Sequence, residues 1–267
     1  MRKKSGILLK NLWPQEKGRK RSYSEEMTLS KNISETAKEL LWPTRCALCD
    51  EPGQVLCAKC RSTLRYVDLC KSCERCGASG GRLQCSECNS VILDAMELEK
   101  YPFDEFRSCV ILNENARRLV SVYKDESEVR LAKEISNIMF RYFEPVWIKQ
   151  NAKIAFIPPT QEAMLKRGFN HTKILANKLG ELSGCEIINC FTTPKSSDQR
   201  NLGKKERILN MKKQLRVLPN ANFERKNPIV IIDDVCTTGA TMQCAASALK
   251  KSGVQTIYGL TFARVMN

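Results

Sequence analysis

The chain has 267 residues, of which 42% are hydrophobic, enough for one large domain or for one ordinary domain with a small module. No apolar run reaches the roughly 18 residues of a membrane span, and the apolar stretch Ile7–Leu9 is too short for a signal peptide, so we expect a cytoplasmic protein. The 44 Lys and Arg against 29 Asp and Glu give a net charge of +15, which favours polyanionic partners such as nucleic acid or phosphorylated metabolites. The alternative is a basic protein without such a partner.

The first segment, residues 1–39, is predicted to be a basic, disordered extension. Met1–Ser24 is polar and positively charged and has little apolar periodicity, which is typical of chains that bury no core. A short amphipathic helix is predicted over Ser30–Leu41, with Ser34 as its N-cap and Pro43 as its stop.

Residues 40–90 form a cysteine-rich module that is predicted to bind metal. Nine of the chain's 14 cysteines lie between Cys46 and Cys88, where large apolar residues are few. Four C-x-x-C pairs supply the eight thiolates that two tetrahedral zinc sites need: Cys46, Cys49, Cys57, Cys60, Cys73, Cys76, Cys85 and Cys88. The short gaps within each half favour one zinc per half. Crossed pairing, redox dithiols and an iron–sulfur cluster are the alternatives. A closed site of four thiolates offers no open coordination position, so we expect structural zinc.

Cys70 makes the second half ambiguous, because it forms a further C-x-x-C pair with Cys73. We prefer the pair Cys73 and Cys76, since Gly77 follows it and glycine adopts the positive φ that such a knuckle commonly needs. Asp50 and Asn89 follow two other pairs and also tolerate that conformation.

Residues 91–267 are predicted to form an α/β domain with a parallel sheet, because strands and helices alternate along them. The predicted strands are Ser108–Asn113, Lys153–Ile157, Glu186–Cys190, Ile229–Ile232 and Thr256–Phe262. The predicted helices are Glu114–Tyr123, Ser127–Phe143, Thr172–Leu182, Lys204–Leu215 and Ala240–Lys251.

The segment Val230–Thr241 carries the strongest signal for a ligand site. A buried strand ends in Asp233 and Asp234, and α/β sheets bind their ligands at the carboxyl ends of strands. A small, hydroxyl-rich loop with Gly239 follows, and the next helix offers unpaired N–H groups that suit a phosphate. The two carboxylates suit the vicinal hydroxyls of a ribose. The alternative is an ordinary strand, turn and helix with a capping aspartate.

This segment resembles the phosphoribosyl-pyrophosphate signature of type I phosphoribosyltransferases. The resemblance implies that Asp233 and Asp234, the predicted catalytic residues, hold the ribose hydroxyls, and that Mg²⁺ accompanies the pyrophosphate. It also implies that the 5′-phosphate lies in the loop, so the predicted ligand-binding residues are Val235, Cys236, Thr237, Thr238, Gly239, Ala240 and Thr241. Cys236 is interpreted as a small loop residue and not as a nucleophile. Arg167 is the further predicted contact, on the pyrophosphate side.

From about residue 40 onward the chain resembles the ComF family, in which a double zinc ribbon precedes a phosphoribosyltransferase-like domain. The motifs that carry the resemblance are Leu40–Pro43 before Cys46, Asn115–Ile135 with its Leu119–Lys124 segment, Lys166–His171, and Gln199–Leu202 with Arg207 and Asn210. Two departures concern the presumed pyrophosphate side. Pro158-Pro159-Thr160 replaces a P-x-P sequence, and His171 replaces a glutamine. We expect His171 to be an exposed residue at a helix start.

The resemblance implies a competence-associated protein that binds phosphoribosyl pyrophosphate or a nucleotide and acts, with single-stranded DNA and other competence proteins, in DNA uptake. Clustered bases at Lys166 and Arg167, Arg200, Lys204 and Lys205, and Lys212 and Lys213 would contact DNA. The alternative is an active phosphoribosyltransferase that transfers ribose 5-phosphate to an unidentified base, with Lys166, Arg167 and the 200–205 segment stabilising the leaving pyrophosphate.

Overall fold

The computed structural model describes residues 43–83, 85–95, 100–194 and 215–266. Arg45–Asn267 forms one compact unit, which contains both the cysteine-rich segment and the sheet. Several predictions lie outside the described residues: the extension 1–39, the helix Ser30–Leu41, the basic helix from Lys204 up to residue 214, and the Gln199–Asn210 motif. The domain boundaries at 39/40 and 90/91 stay predictions.

Five parallel strands form one sheet in the order β1-β5-β4-β2-β3. Their bounds are β1 Glu105–Ile111, β2 Lys153–Phe156, β3 Ile187–Ile188, β4 Ile229–Cys236 and β5 Ile257–Arg264. Every strand pair is parallel, with Ala155 opposite Ile231 at the centre of the sheet. The predicted parallel α/β fold is therefore confirmed.

Strand β4 is longer than its apolar run predicts. The run ends at Ile232, but pairing with β5 continues through Val235 opposite Ala263 and Cys236 opposite Arg264. Side chains alternate between the two faces of a strand. Asp233 and Asp234 therefore belong to opposite faces of the sheet, which gives the two carboxylates different surroundings.

The described residues include eight helices. They are α1 Ala58–Ser62, α2 Ser90–Ala95, α3 Glu114–Lys124, α4 Leu131–Phe140, α5 Pro145–Lys149, α6 Gln161–Arg167, α7 His171–Ser183 and α8 Ala240–Lys251. Asn113, Thr160 and Asn170 cap α3, α6 and α7 by accepting a backbone N–H at the third helical residue. Gly184 ends α7 at φ +73°. The helix predicted over Ser127–Phe143 is shorter, since Ser127 has φ +59° and α4 begins at Leu131.

The core lies on both faces of the sheet. Helices α3, α4 and α7 cover the face to which Val230, Ile232 and Leu260 belong. Helix α8 covers the opposite face, with Ile229, Ile231 and Ile257. These six strand residues are all 0% exposed. No helix in the described part of the chain is long and apolar enough to cross a membrane.

The cysteine-rich segment covers the outer edge of β1. Tyr66 forms an antiparallel bridge with Val110, Val67 N–H donates to Cys109 O at 2.9 Å, and Ile111 N–H donates to Arg65 O at 2.8 Å. Nearer the start of β1, Phe106 N–H donates to Glu74 O at 2.8 Å. Pairing in this way protects an edge strand from unwanted partners. The cysteine-rich segment is thus built onto the sheet within one compact unit.

Candidate ribose-phosphate site

The candidate site is a cleft of about 580 Å³ at the carboxyl ends of β2 and β4. The chain passes from β2 outward to β3 and then returns to β4 on the other side of β2. Such a reversal of strand order opens a crevice where α/β proteins bind ligands. Pro158 and Pro159 follow β2 on one side of the cleft, and Asp233 and Asp234 lie on the other.

Most of the predicted site residues meet in this cleft. Those lining it are Arg167, Asp233, Asp234, Val235, Thr237 and Thr241. The other four predicted residues, Cys236, Thr238, Gly239 and Ala240, belong to the same turn but are not among the lining side chains.

Asp234 is a buried, ion-paired carboxylate. It is 4% exposed, Lys124 Nζ lies 2.5 Å from its Oδ2, and Val235 N–H donates to its Oδ1 at 2.7 Å. Burial by itself would raise the pKa of Asp234, but the Lys124 ammonium more than offsets it, so the pKa lies below the usual 3.8. Asp234 is therefore ionised at neutral pH.

Asp233 is only partly buried, and among the described residues it has no ion pair comparable to that of Asp234 with Lys124. Its Oδ1 accepts the Asp234 N–H at 2.9 Å. Burial raises the pKa of Asp233 well above the usual 3.8, and the neighbouring Asp234 charge raises it further. The different surroundings of the two adjacent carboxyls thus shift their pKa values in opposite directions.

The turn after β4 has the backbone of an anion site. Gly239 has φ +74° and precedes the twelve-residue helix α8 without any side-chain cap. Thr238 Oγ1 lies 3.4 Å from Ala240 N, and Thr237 and Thr241 line the cleft. The N–H groups of the first turn and these hydroxyls suit a phosphate monoester. We call Cys236–Thr241 the phosphate loop.

Cys236 begins this loop with a thiol that is turned away from the cleft. Its side chain is 2% exposed, and burial raises its pKa to about 11. A protonated, inaccessible thiol is a poor nucleophile. Its surroundings agree with the interpretation of Cys236 as a small loop residue.

Two cations line the cleft together with the carboxylates. Arg167, the last residue of α6, lies 3.3 Å from Asp125 Oδ1 and keeps 21% of its side chain exposed. Lys124, the last residue of α3, was not predicted as a site residue. The sequence held one signal for it: two adjacent carboxylates after a buried strand need a nearby cation, and Lys124 ends a motif of the ComF resemblance.

The prediction that His171 is exposed was wrong. It is 4% exposed, lines the cleft, and has Nε2 3.5 Å from Asp234 Oδ2. Asn170 caps α7, so the first helical residue turns inward over the end of the sheet. Burial lowers the pKa of His171 from 6.5 to about 4, although Asp234 acts in the opposite direction. His171 is neutral at physiological pH.

The ribbon cysteines form two groups of four that could hold zinc ions, one in each half of the module. The first cysteine group is Cys46, Cys49, Cys57 and Cys60, the second cysteine group is Cys73, Cys76, Cys85 and Cys88, and within each group the Sγ atoms lie within 4.8 Å of one another. Neighbouring Sγ atoms are 3.5–3.7 Å apart. Zn–S bonds of about 2.3 Å place two tetrahedral thiolates about 3.8 Å apart. The thiolates fit the metal, and crossed pairing of the halves is excluded.

The backbone supports the preferred ligand assignment. Cys70 is exposed and belongs to neither group. Gly77 has φ +72° and Asp50 has φ +62°, as predicted, but Asn89 is absent from the described residues with positive φ. Asn89 does not adopt the conformation that it tolerates, because helix α2 begins at Ser90, directly after it, and Leu93 N–H donates to its carbonyl.

Three curated proteins are similar to most of this chain. Competence protein ComFC of Bacillus subtilis is 25% identical over 231 residues, which are 82% of this chain and 87% of the relative. Competence protein F of Haemophilus influenzae is 22% identical, over 78% of this chain and 96% of the relative. ComFC of Streptococcus pneumoniae is 22% identical, over 86% of this chain and 97% of the relative. The resemblance to the ComF family is confirmed.

No family model matches this ComF-like chain. Among solved structures, orotate phosphoribosyltransferase from Aeropyrum pernix aligns at 17% identity and a TM-score of 0.31, over 59% of this chain and 68% of that one. A hypoxanthine phosphoribosyltransferase from Staphylococcus aureus aligns at 11% identity and a TM-score of 0.29, over 48% of this chain and 62% of that one. The α/β fold of the ComF-like chain is established by its own strand pairing.

Proposed function

We propose that this ComF-like protein binds phosphoribosyl pyrophosphate or a nucleotide in the cleft between β2 and β4. The observation that carries the proposal is the meeting of Asp233, Asp234 and the phosphate loop at one cleft. The carboxylates would accept the ribose 2′ and 3′ hydroxyls, and the loop would bind the 5′-phosphate through N–H groups and threonine hydroxyls.

The pyrophosphate would lie toward Arg167 and the segment Pro158–Thr160. Arg167 supplies a guanidinium, which suits phosphate oxygens. Mg²⁺ would accompany the pyrophosphate and neutralise part of its charge.

Calorimetric titration tests this proposal. We expect ribose 5-phosphate and phosphoribosyl pyrophosphate with Mg²⁺ to bind, and 2-deoxyribose 5-phosphate to bind roughly tenfold or more weakly because one carboxylate loses its donor. The double variant Asp233→Asn, Asp234→Asn should abolish binding. Asp68→Asn is the control, since Asp68 pairs with Lys71 at the surface. Unchanged affinity in the double variant would contradict the proposed site.

We further propose that the protein acts in competence, with single-stranded DNA and other competence proteins as partners. The names of the three relatives and the net charge of +15 support this role. A cytoplasmic location would keep both cysteine groups reduced and loaded with Zn²⁺. Affinity for a DNA oligonucleotide should fall steeply with salt. A flat salt response, or no binding near physiological salt, would rule out the DNA role.

The alternative activity is phosphoribosyl transfer at the same cleft. The cations Lys124 and Arg167 beside the carboxylates favour it, because leaving pyrophosphate needs positive charge. Incubation with phosphoribosyl pyrophosphate, Mg²⁺ and candidate bases should then release pyrophosphate. Turnover that disappears in the Asp233→Asn, Asp234→Asn variant would support transfer, and ligand binding without turnover would leave a binding protein.

A further inference from the structure

The side chain of Arg264 is a buried charge between the second cysteine group and the phosphate loop. Arg264 is the last residue of β5 and pairs in register with Cys236, the last residue of β4. Its side chain is 6% exposed. A guanidinium in such a place is tolerated only when several acceptors surround it.

Two of its acceptors belong to the segment of the second cysteine group. Arg264 Nη1 donates to Cys76 O at 2.6 Å, and Nη2 forms an ion pair with Glu87 Oε2. Cys76 is itself a thiolate of the group, and Glu87 lies between the ligands Cys85 and Cys88. The direction of both acceptors therefore depends on how the four thiolates are arranged.

The turn that follows Cys76 also restricts the direction of its carbonyl group. Gly77 follows it with φ +72° and donates its N–H to Cys73 O at 2.7 Å. A Cβ on Gly77 would lie 2.9 Å from the ring of Phe106, so the knuckle and β1 are in close contact. The guanidinium of Arg264 lies 6.0 Å from the centre of the same ring. This packing leaves Arg264 little room to move.

The remaining contacts of Arg264 reach the phosphate loop. Nη1 lies 3.5 Å from Cys236 Sγ, and Val265 N–H donates to Cys236 O at 3.0 Å. Both the side chain and the carbonyl of the first loop residue are thus held by the end of β5. Cys73, Cys76, Cys88, Cys236 and Ala240 also share one buried cluster on the α8 face of the sheet.

We propose that Arg264 is a positioning residue through which the second cysteine group holds the phosphate loop in its ligand-binding conformation. The inference rests on the proposed ribose-phosphate function of that loop. The first cysteine group packs in the cluster on the opposite face, with α3, α4 and α7, and does not share this role. The two candidate metal sites, alike in ligands, therefore differ in what they support.

The chain offers a matched control in Arg61. Arg61 also links a cysteine-rich segment to the α/β domain, through an ion pair of its Nη2 with Glu134 Oε2 of α4. That pair lies on the face opposite α8. Lysine at either position keeps the charge but cannot reach several acceptors at once. Arg264→Lys and Arg61→Lys therefore make the same change of side chain, at a position that is 6% exposed and at one that is 39% exposed.

The test compares the full-length wild type with Arg264→Lys, Glu87→Gln and Arg61→Lys. Hydrogen exchange of peptides covering the phosphate loop and the affinity for ribose 5-phosphate are measured, with metal content as a check. We expect Arg264→Lys to keep two metal ions, to speed exchange in the loop but not in α3 or α7, and to weaken binding about tenfold. Glu87→Gln should act in the same direction with a smaller effect, and Arg61→Lys should stay within about twofold of the wild type.

Wild-type exchange and affinity in both Arg264→Lys and Glu87→Gln would overturn the inference. An equal effect of Arg61→Lys would do so as well, because it would indicate general loosening. If Arg264→Lys does not fold, hydrogen exchange of the phosphate loop in Glu87→Gln tests the inference by itself. A wild type that does not bind ribose 5-phosphate would contradict the proposed function, and loop exchange would still decide whether Arg264 positions the loop.

Discussion

The Nζ atom of Lys124 lies 2.5 Å from Oδ2 of Asp234, and the two side chains are 18% and 6% exposed. The pair joins the end of α3 to the carboxyl end of β4, although 109 residues separate the two in the chain. A charge buried to this extent is costly without a partner. The ammonium thus keeps Asp234 ionised inside the protein, ready to accept hydrogen bonds from a ligand.

Lys124→Met should destabilise the protein by about 3 kcal/mol, because it leaves the Asp234 carboxylate buried and unpaired. Urea unfolding at neutral pH measures the change. Lys178→Met is the matched control, since Lys178 pairs with Glu181 at 2.7 Å on the surface with 41% and 62% of the side chains exposed. We expect a change within about 0.5 kcal/mol there. Similar small losses for both variants would contradict a buried ion pair at Asp234.

The adjacent aspartates should respond in opposite directions to replacement by asparagine at pH 7. The folded pKa of Asp233 is raised above 3.8, so its contribution to stability is complete below that pH and is lost as pH rises toward the folded pKa. Asp233→Asn removes this loss and should stabilise the protein by about 1–2 kcal/mol at pH 7, and by less near pH 4.

The pKa shift of Asp234 has the opposite sign. Its folded pKa is lowered below 3.8, so its contribution is present above that pH and is lost as pH falls through the folded pKa. Asp234→Asn also leaves Lys124 unpaired, so it should destabilise the protein by about 2–3 kcal/mol at pH 7. Urea unfolding of both variants at pH 4 and pH 7 measures these effects. Equal destabilisation at pH 7 would show that the pKa values of the two carboxyls are not shifted in opposite directions.

The local parts of this architecture could be predicted from the sequence. Apolar runs predict strands, the C-x-x-C spacing predicts the knuckles, and the strand–loop–glycine pattern of Val230–Thr241 predicts an anion site. Each of these patterns lies within about a dozen residues. The parallel sheet follows because strands and helices alternate.

The contacts between distant segments could not be predicted in the same way. Three such contacts depend on how whole helices and strands pack. They are the ion pair of Lys124 with Asp234, the approach of His171 to Asp234, and the contacts of Arg264 with Cys76 and Cys236. The apolar pattern predicts that β4 ends at Ile232. In the structure β4 continues to Cys236 because it pairs with β5, and an apolar pattern carries no information about that pairing. Asp233 and Asp234 are residues of the same type, and their surroundings alone shift their pKa values in opposite directions.

His171 should show no titration between pH 5 and pH 8, because its folded pKa is about 4. It is the only histidine of the chain, so its imidazole NMR signals are unambiguous. The folded pKa lies below the unfolded value of 6.5, so stability is lost as pH falls from about 6.5 toward 4, by about 3 kcal/mol in total.

His171→Gln removes the group and should flatten the stability profile in that pH range. The comparison with the wild type separates His171 from the carboxyls, which titrate at lower pH or in the opposite direction. A signal that titrates near pH 6.5 would show that the imidazole is solvated and not buried beside Asp234.

Metal content should distinguish the two cysteines that compete for one knuckle. The Sγ of Cys73 belongs to the second cysteine group, whereas Cys70 is exposed outside it and donates its N–H to Asp68 Oδ1 at 3.0 Å. Cys70→Ser should therefore keep two zinc ions per chain, and Cys73→Ser should keep one, because an open three-thiolate site binds zinc far more weakly. Elemental analysis of the purified proteins measures both. Loss of a zinc ion from Cys70→Ser, or two zinc ions in Cys73→Ser, would reverse the ligand assignment.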